Sequence, residues 1–334
     1  MSFFAILLAL LIEQVRPLAR HNPIHAGLRA WARWTSRNFD AGKPHHGWIA
    51  WSLAVLGPAL AAAAVHGLLD YFLGWPVAML WSVVVLYVTL GFRQFSHHFT
   101  SIRDALEAGD EARARELLAQ WQQVEAAALP RSEIVRHVIE YSVLAAHRHV
   151  FGVLAWFSVL AALGLGPAGA VLYRMAEFVT RYWRWRSRTH NQPASEALDW
   201  AAIRAWGAVD WLPARVTALS FAVVGSFEEA IDSWRHHAQR FPSDNDGVIL
   251  AATSGAVNVR LGGESLRSAA VAPGSAQAFS TAAAGGVTEL EATESTPGRE
   301  AEIGHLRSIV GLVWRTVVLW MVLLALLTLA RLLG

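Results

Sequence analysis

The sequence predicts an all-α fold, a polytopic helical membrane protein with about five or six membrane helices and helical segments outside the bilayer, and three observations carry that expectation. From Ser308 the chain reads SIVGLVWRTVVLWMVLLALLTLARLLG, with Arg315 as its one internal charge before Arg331. A run of about eighteen or more apolar residues is long enough to cross a bilayer as a helix, the one single-segment structure that satisfies its own backbone in hydrocarbon. Hydrophobic residues make up 54% of the chain and charged ones only 16%, against about 25% charged in an ordinary soluble domain. Further apolar runs recur along the chain, and arginines gather on alternate connections between them.

Residues 1–12 are apolar, with no Lys or Arg before them and no small-residue cleavage site after them, so they read as a retained anchor rather than a signal peptide. Residues 48–69 form a span interrupted by Pro58 and His66, and after DYFLG a second run returns over 75–91, which predicts a helical hairpin. Its connection has no Lys or Arg, whereas Arg16, Arg20, Arg29, Arg33 and Arg37 precede it and Arg93, Arg103, Arg113 and Arg115 follow. The positive-inside rule places both flanks in the cytoplasm. Residues 150–165 make a third run ending in GPAG, and a weaker one over 170–183 leads into Arg184, Arg186 and Arg188. Residues 211–225 are apolar but hold Pro213 and Arg215, so this run reads as short, tilted or re-entrant, and its crossing stays open.

Two regions read as water-exposed. Residues 101–129 carry Ile102, Leu106, Leu117, Leu118 and Trp121 at helical spacing among Ala and Glu, a helical pair broken at Gly109 and Asp110. Residues 226–305 form the second, and 268–300, rich in Ala, Gly, Ser and Thr, are expected to be flexible. The domain reading is therefore a membrane helical domain over 1–225 with a cytoplasmic helical loop at 93–140, an extramembrane segment over 226–307, and a C-terminal transmembrane helix over 308–334.

Composition also excludes. There is no cysteine, which removes disulfides and thiolate chemistry. The net charge is +2 and the arginines lie in loops rather than on one basic face, so no nucleic-acid partner is expected. Histidine is abundant, at 14 residues, yet the adjacent pairs His97–His98 and His236–His237 diverge by about 100° on a helix. The HxxxH spacing at His21 and His25 holds Pro23. No metal site is expected. A GxGxxG spacing at Gly164, Gly166 and Gly169 follows an apolar span instead of a strand and reads as a turn.

Polar groups at membrane depth are costly and usually face inward. Glu140, His147, Arg148 and His149 precede the third span, Arg174, Glu177 and Arg181 share one face of the next, and Asp210 and Arg215 bracket the short one. Two readings stand: interfacial charges held by snorkelling, or a polar cavity near the cytoplasmic face lined by Glu140, His147, Arg148, His149 and Glu177. A cavity with several guanidinium groups suits phosphate or carboxylate.

Four stretches, in order, resemble the CobD/CbiB family of cobalamin-biosynthesis membrane proteins: LYVTLGFRQFSHHFTSIRDALEAGDEARARELL over 86–118, LGPAGAVLYR over 165–174, DWLPARVTAL over 210–219 and FPSDNDGVILAATSGAVNVRLGG over 241–263. The resemblance implies a multi-pass protein of the inner membrane that joins aminopropanol phosphate to adenosylcobyric acid through an ATP-dependent amide bond. It implies ATP and Mg²⁺ as cofactors, a corrinoid or other phosphate-bearing small molecule as ligand, and substrate contacts from Arg174, Arg215, Asn245 and Arg260; it names no catalytic residue here. The beginning MSFFAILLALLIEQ and the stretch VDWLPARVTALSFAVVGSFEEAIDSW are also similar to the related AmpE proteins, which implies the alternative of a non-catalytic membrane sensor linked to cell-wall or β-lactamase signalling, with a membrane protein as partner.

Overall fold

The computed structural model describes residues 2–15, 23–122, 125–189, 194–263 and 294–333, and among them the regular structure is helical, with one isolated bridge between Val259 and Arg299. The helices are α1 (Ser2–Val15), α2 (Pro23–Phe39), α3 (Pro44–Leu73), α4 (Trp75–Thr89), α5 (Phe92–Glu107), α6 (Glu111–Gln122), α7 (Arg131–Ala146), α8 (Gly152–Ala162), α9 (Ala168–Thr189), α10 (Glu196–Val224), α11 (Phe227–His237), α12 (Asp244–Val257) and α13 (Ile303–Leu333). Four of them are long and apolar enough to cross a membrane: α3, the continuous helix Arg131–Ala162, α10, and Ile303–Ala330 within α13. With the shorter apolar segments Phe3–Val15 and Trp75–Thr89, this is the polytopic helical membrane fold that the apolar runs predict.

Two cores hold it together. The larger is built on α7 and α8 and takes side chains from α1, α4, α5, α6, α10, α12 and α13; the smaller lies among α2, α3, α9 and the first half of α10. The α3–α4 hairpin and the helical pair broken after Glu107 form where the sequence places them. The GxGxxG segment is a turn between α8 and α9, with Gly164 at φ +81° and Gly166 at φ +54°, backbone that L side chains avoid. Residues 21 and 22, the side chain of His25, and 268–293 of the stretch expected to be flexible lie outside the described residues.

Three elements differ from the sequence expectation. The run over 150–165 is the second half of one helix starting at Arg131, whose polar first half is buried among neighbours instead of emerging into water. The short run over 211–225 is likewise the end of a 29-residue helix that begins at Glu196 and passes through Pro213. Ser195 caps its start, the hydroxyl accepting from the Leu198 amide at 3.1 Å. Finally, α12, within the region read as water-exposed, is a buried helix packed on α11, α10 and α7, and Gly247 and Gly255 let its backbone approach Ala238 and Glu229 closely.

Prolines inside α3 and α10 leave a carbonyl without its helical donor, since proline has no N–H to give residue i−4. Tryptophan indoles fill both vacancies. Trp31 Nε1 donates to Ala54 O at 3.2 Å, four residues before Pro58, and Trp156 Nε1 donates to Val209 O at 2.8 Å, four before Pro213. The first bond ties α2 to α3 and the second ties α8 to α10.

Candidate functional site

The helix Arg131–Ala162 changes pitch in its middle. Residues His147–Phe151 form a π-turn, a widened turn that often marks a functional position, and all five of its side chains are buried. His147 faces α9 and α10: its Nδ1 lies 2.9 Å from Thr217 Oγ1 and its Nε2 2.8 Å from Asp210 Oδ1. Tyr173 of α9 closes the group, its hydroxyl donating to Asp210 Oδ1 at 2.7 Å and sitting 3.2 Å from His147 Nε2. The tyrosine fits there because Gly152 has no side chain; a Cβ at that position would fall 2.0 Å from the Tyr173 ring.

One residue further on, Arg148 turns to α12. Its Nη2 donates to both oxygens of Asp246, at 2.9 and 2.7 Å, and the pair is almost fully buried. The first turn of α12 is held by Ser243, whose hydroxyl accepts from the Asp246 amide at 3.5 Å. The neighbouring Asn245 reaches α10 twice: its Nδ2 donates to Gly207 O at 2.9 Å, and its Oδ1 accepts from Arg215 Nη1 at 2.9 Å. Arg215 also lies over the Trp211 ring at 4.4 Å. On α9, Glu177 is buried between Arg174, at 2.9 Å, and Arg181, at 2.5 Å, and the Arg148 guanidinium interacts with Glu177 and Asp210 as well as with Asp246. Helices α9, α10 and α12 and the π-turn thus bring together an alternation of guanidinium and carboxylate groups. Its inner members, His147, Tyr173 and Asp210, are sealed from solvent, while Arg215 and Arg174 stand at its edge.

A second cluster occupies the preceding turns of α7. Glu140, fully buried, accepts from Arg136 Nη1 at 3.0 Å and from the Gly262 amide at 2.7 Å, with His137 Nδ1 at 3.4 Å; Arg136 also pairs with Glu133. This cluster docks the loop after α12. There Arg260 is exposed, and its amide donates to Arg299 O at 2.7 Å. Of the four expected substrate contacts, the structure joins Arg215 to Asn245 and sets Arg174 in the adjoining Glu177 group, whereas Arg260 rides on the loop tied to Glu140. The Gly262 amide is directed to the Glu140 carboxylate, and α12 is capped at its end by Asn258, in the left-handed conformation with φ 52°. Of the five cavity candidates, His147, Arg148 and Glu177 meet in the main network, Glu140 anchors the satellite, and His149 is buried with its Nδ1 next to Gly91.

Sequence reasoning singled out neither Asp246 nor Tyr173. The acid beside Asn245 reads as a helix-start residue, and an isolated tyrosine before Arg174 gives no signal until Gly152 is seen beneath it. Among the described residues no group of three His, Asp or Glu converges as a metal site. The carboxylates of Asp246 and Glu177 are engaged by arginines, and of the carboxylate oxygens described in this network Asp210 Oδ2 is the one buried without a hydrogen bond and outside an ion pair. The residues do not fit a protein-held Mg²⁺, which takes a near-octahedral set of oxygens.

Comparison with known proteins agrees with this architecture in its extent along the chain. The family model described as CobD/Cbib protein matches residues 2–284, which spans both clusters. The chain is 31% identical over 280 residues to the cobalamin biosynthesis protein CobD of Stutzerimonas stutzeri, covering 84% of this chain and 81% of that protein. It is 33% identical over 181 residues to the CobD of Chromobacterium violaceum, covering 54% and 55%, and 28% identical over 228 residues to that of Mycobacterium tuberculosis, covering 67% of each. No solved structure matches. With the model matching most of its length and a relative aligned over four fifths of both chains, the chain belongs to the CobD/CbiB family of cobalamin biosynthesis proteins.

Proposed function

We propose that the protein is an adenosylcobinamide-phosphate synthase of the inner membrane, joining the amine of aminopropanol phosphate to a carboxyl group of adenosylcobyric acid. The observation that carries the reading is the edge of the main network, where Arg215 and Asn245, on different helices, meet in one hydrogen bond beside the buried Arg148–Asp246 pair. A guanidinium held by an amide and still partly open to solvent is suited to grip a phosphate, and the pair behind it fixes α12 against the π-turn. Arg174, at the rim of the Glu177 group, is the second candidate for the anion. In an amide ligation the amine nitrogen forms the C–N bond while the carboxyl oxygen leaves on a phosphoryl group supplied by ATP. The chain's residues position acid and amine; the nucleotide and its Mg²⁺ rest on the family likeness. Sidedness follows from the arginine-rich flanks, and Arg307 pairs with Glu107 at 2.9 Å, which supports placing the start of α13 with the α5–α6 pair in the cytoplasm.

The test is growth of a strain lacking its own cobinamide-phosphate synthase on cobyric acid, at matched membrane levels of each variant. Wild type is expected to restore growth, Arg215→Ala to reduce it at least about tenfold, the loss of one charged hydrogen bond to a phosphate, and Arg260→Ala to leave it unchanged. Failure of the wild type removes the synthase reading; loss of growth in Arg260→Ala alone moves the substrate site to the loop after α12.

A further inference from the structure

Helix α2 has three faces. Ala32 and Thr35 are buried against the smaller core, with Leu28, Trp31 and Phe39 half-buried beside them, and the helix is fastened by Trp31 Nε1 to Ala54 O and by Trp183 Nε1 to Ala32 O at 3.0 Å. Opposite the core, Arg29, Arg33 and Arg37 fall at i, i+4 and i+8, one stripe along the helix, with Arg33 and Arg37 exposed and Arg33 Nε folded back to Arg29 O at 3.4 Å. Between stripe and core stands Trp34, 47% exposed and stacked on Trp31 at 5.2 Å.

The stripe does not stand alone. Helix α9 runs beside α2, where Trp183 Nε1 bonds Ala32 O, and it carries Arg186 three residues further on, so that its charge and those of Arg33, Arg29 and Arg37 all bear on Tyr182. Nearby, the beginnings of α3 and α10 pack together, with the Gly47 backbone against Ala197, and they present Trp48 and Trp200 to the exterior in edge contact at 6.1 Å, with Arg204 over the Trp200 ring. Exposed tryptophans beside converging arginines, at the ends of apolar helices, describe the water–lipid boundary, where indoles settle at headgroup depth and cations meet phosphate.

We propose that α2 lies in this boundary and that Arg29, Arg33, Arg37 and Arg186 form a binding site for the headgroup phosphate of an anionic phospholipid, with Trp34 set into the acyl boundary. A bilayer lipid is the occupant because an amphipathic helix fastened along a membrane helix keeps its arginines where lipid headgroups are concentrated, and because the exposed tryptophan gives the site an apolar half that a free phosphate would leave in water.

The experiment counts lipids retained by the full-length protein, by native mass spectrometry, after exchange into detergent with equal amounts of phosphatidylglycerol and phosphatidylcholine. Wild type is expected to retain phosphatidylglycerol preferentially, and the R29Q/R33Q/R37Q variant to lose that preference by about tenfold or more. Arg113→Gln on α6, far from the stripe in sequence and paired locally with Glu116, is expected to keep it. Should the triple variant not fold, Arg33→Gln and a salt titration of wild type give the same reading, with 0.5 M salt expected to suppress the preference. Equal retention of the two lipids by wild type, an unchanged preference in the variant, or displacement of the lipid by millimolar inorganic phosphate would overturn the assignment.

Discussion

The helices Arg131–Ala162 and Ile303–Ala330 have similar length and opposite surroundings: 78% of the most apolar window of the first is buried inside the protein, against 33% for the second. The first carries Arg136, His137, Glu140, His147, Arg148 and His149 and hides every one of them. The second carries His305, Arg307 and Arg315, the two arginines exposed, and beyond them offers mainly leucine, valine and Trp314 to its surroundings. Apolarity alone would rank the C-terminal helix as the more important membrane element. The comparison shows that hydropathy identifies the helix that faces lipid, while the helix holding the chemistry is the one whose polar residues lower its hydropathy and whose neighbours make those residues affordable.

The largest effect expected from this contrast lies at Arg148. Truncation to alanine leaves Asp246 buried with its guanidinium partner gone, and breaking a buried pair in this way costs about 3–5 kcal/mol. Arg148→Ala should therefore lower the melting point in detergent strongly and reduce the membrane level of the protein, whereas R148M/D246L, which replaces both charges with apolar groups, should recover most of the stability and still fail to complement. An Arg148→Ala protein as stable as wild type would mean that water reaches the pair, and the contrast between the two helices would lose its basis.

How much of this was legible follows the same division. The apolar runs, the hairpin after residue 48, the break near Gly109 and the turn at Gly164–Gly169 all rest on local signals, and the structure contains each. The polar residues of 131–149 could be read either as an interfacial fringe or as a cavity lining, because the choice depends on which helices surround them, and that is decided by α10 and α12 from far along the chain. The same holds for Arg260 and Asn245: they lie in one short stretch of sequence, but a helix of 14 residues separates the ends at which they sit. Asp246 was missed because Ser-Asp-Asn-Asp reads locally as a helix start, a role the Ser243 hydroxyl in fact fills.

A middle-sized effect separates the two proline sites. Trp156→Phe removes the donor to Val209 O while keeping a ring in place, so a carbonyl already deprived of its helical partner is left unbonded, at about 1–3 kcal/mol. Pro213→Ala restores an N–H at the position that should bond Val209 O, so the double variant W156F/P213A should lose less than Trp156→Phe alone, a coupling measurable by a double-mutant cycle of melting points. The corresponding Trp31→Phe should cost less, since its bond to Ala54 O is longer, 3.2 against 2.8 Å. Additive losses at Trp156 and Pro213 would show that the indole bond does not serve the proline.

The smallest effect belongs on α13. Leu326 and Leu327 are 57% and 63% exposed, and if their surroundings are lipid, acyl chains fill the space a truncated side chain leaves, so no cavity forms. Leu326→Ala and Leu327→Ala should each change stability by no more than about 0.5 kcal/mol. Leu312, on the same helix and fully buried, sets the scale: its truncation opens a cavity in a packed core and should cost about 2–5 kcal/mol. Melting each variant in detergent and again in reconstituted vesicles separates the cases. If Leu326→Ala proved as damaging as Leu312→Ala in vesicles, the outer face of α13 would be covered by protein, and the low burial of this helix would mark an interface with another chain instead of a boundary with lipid.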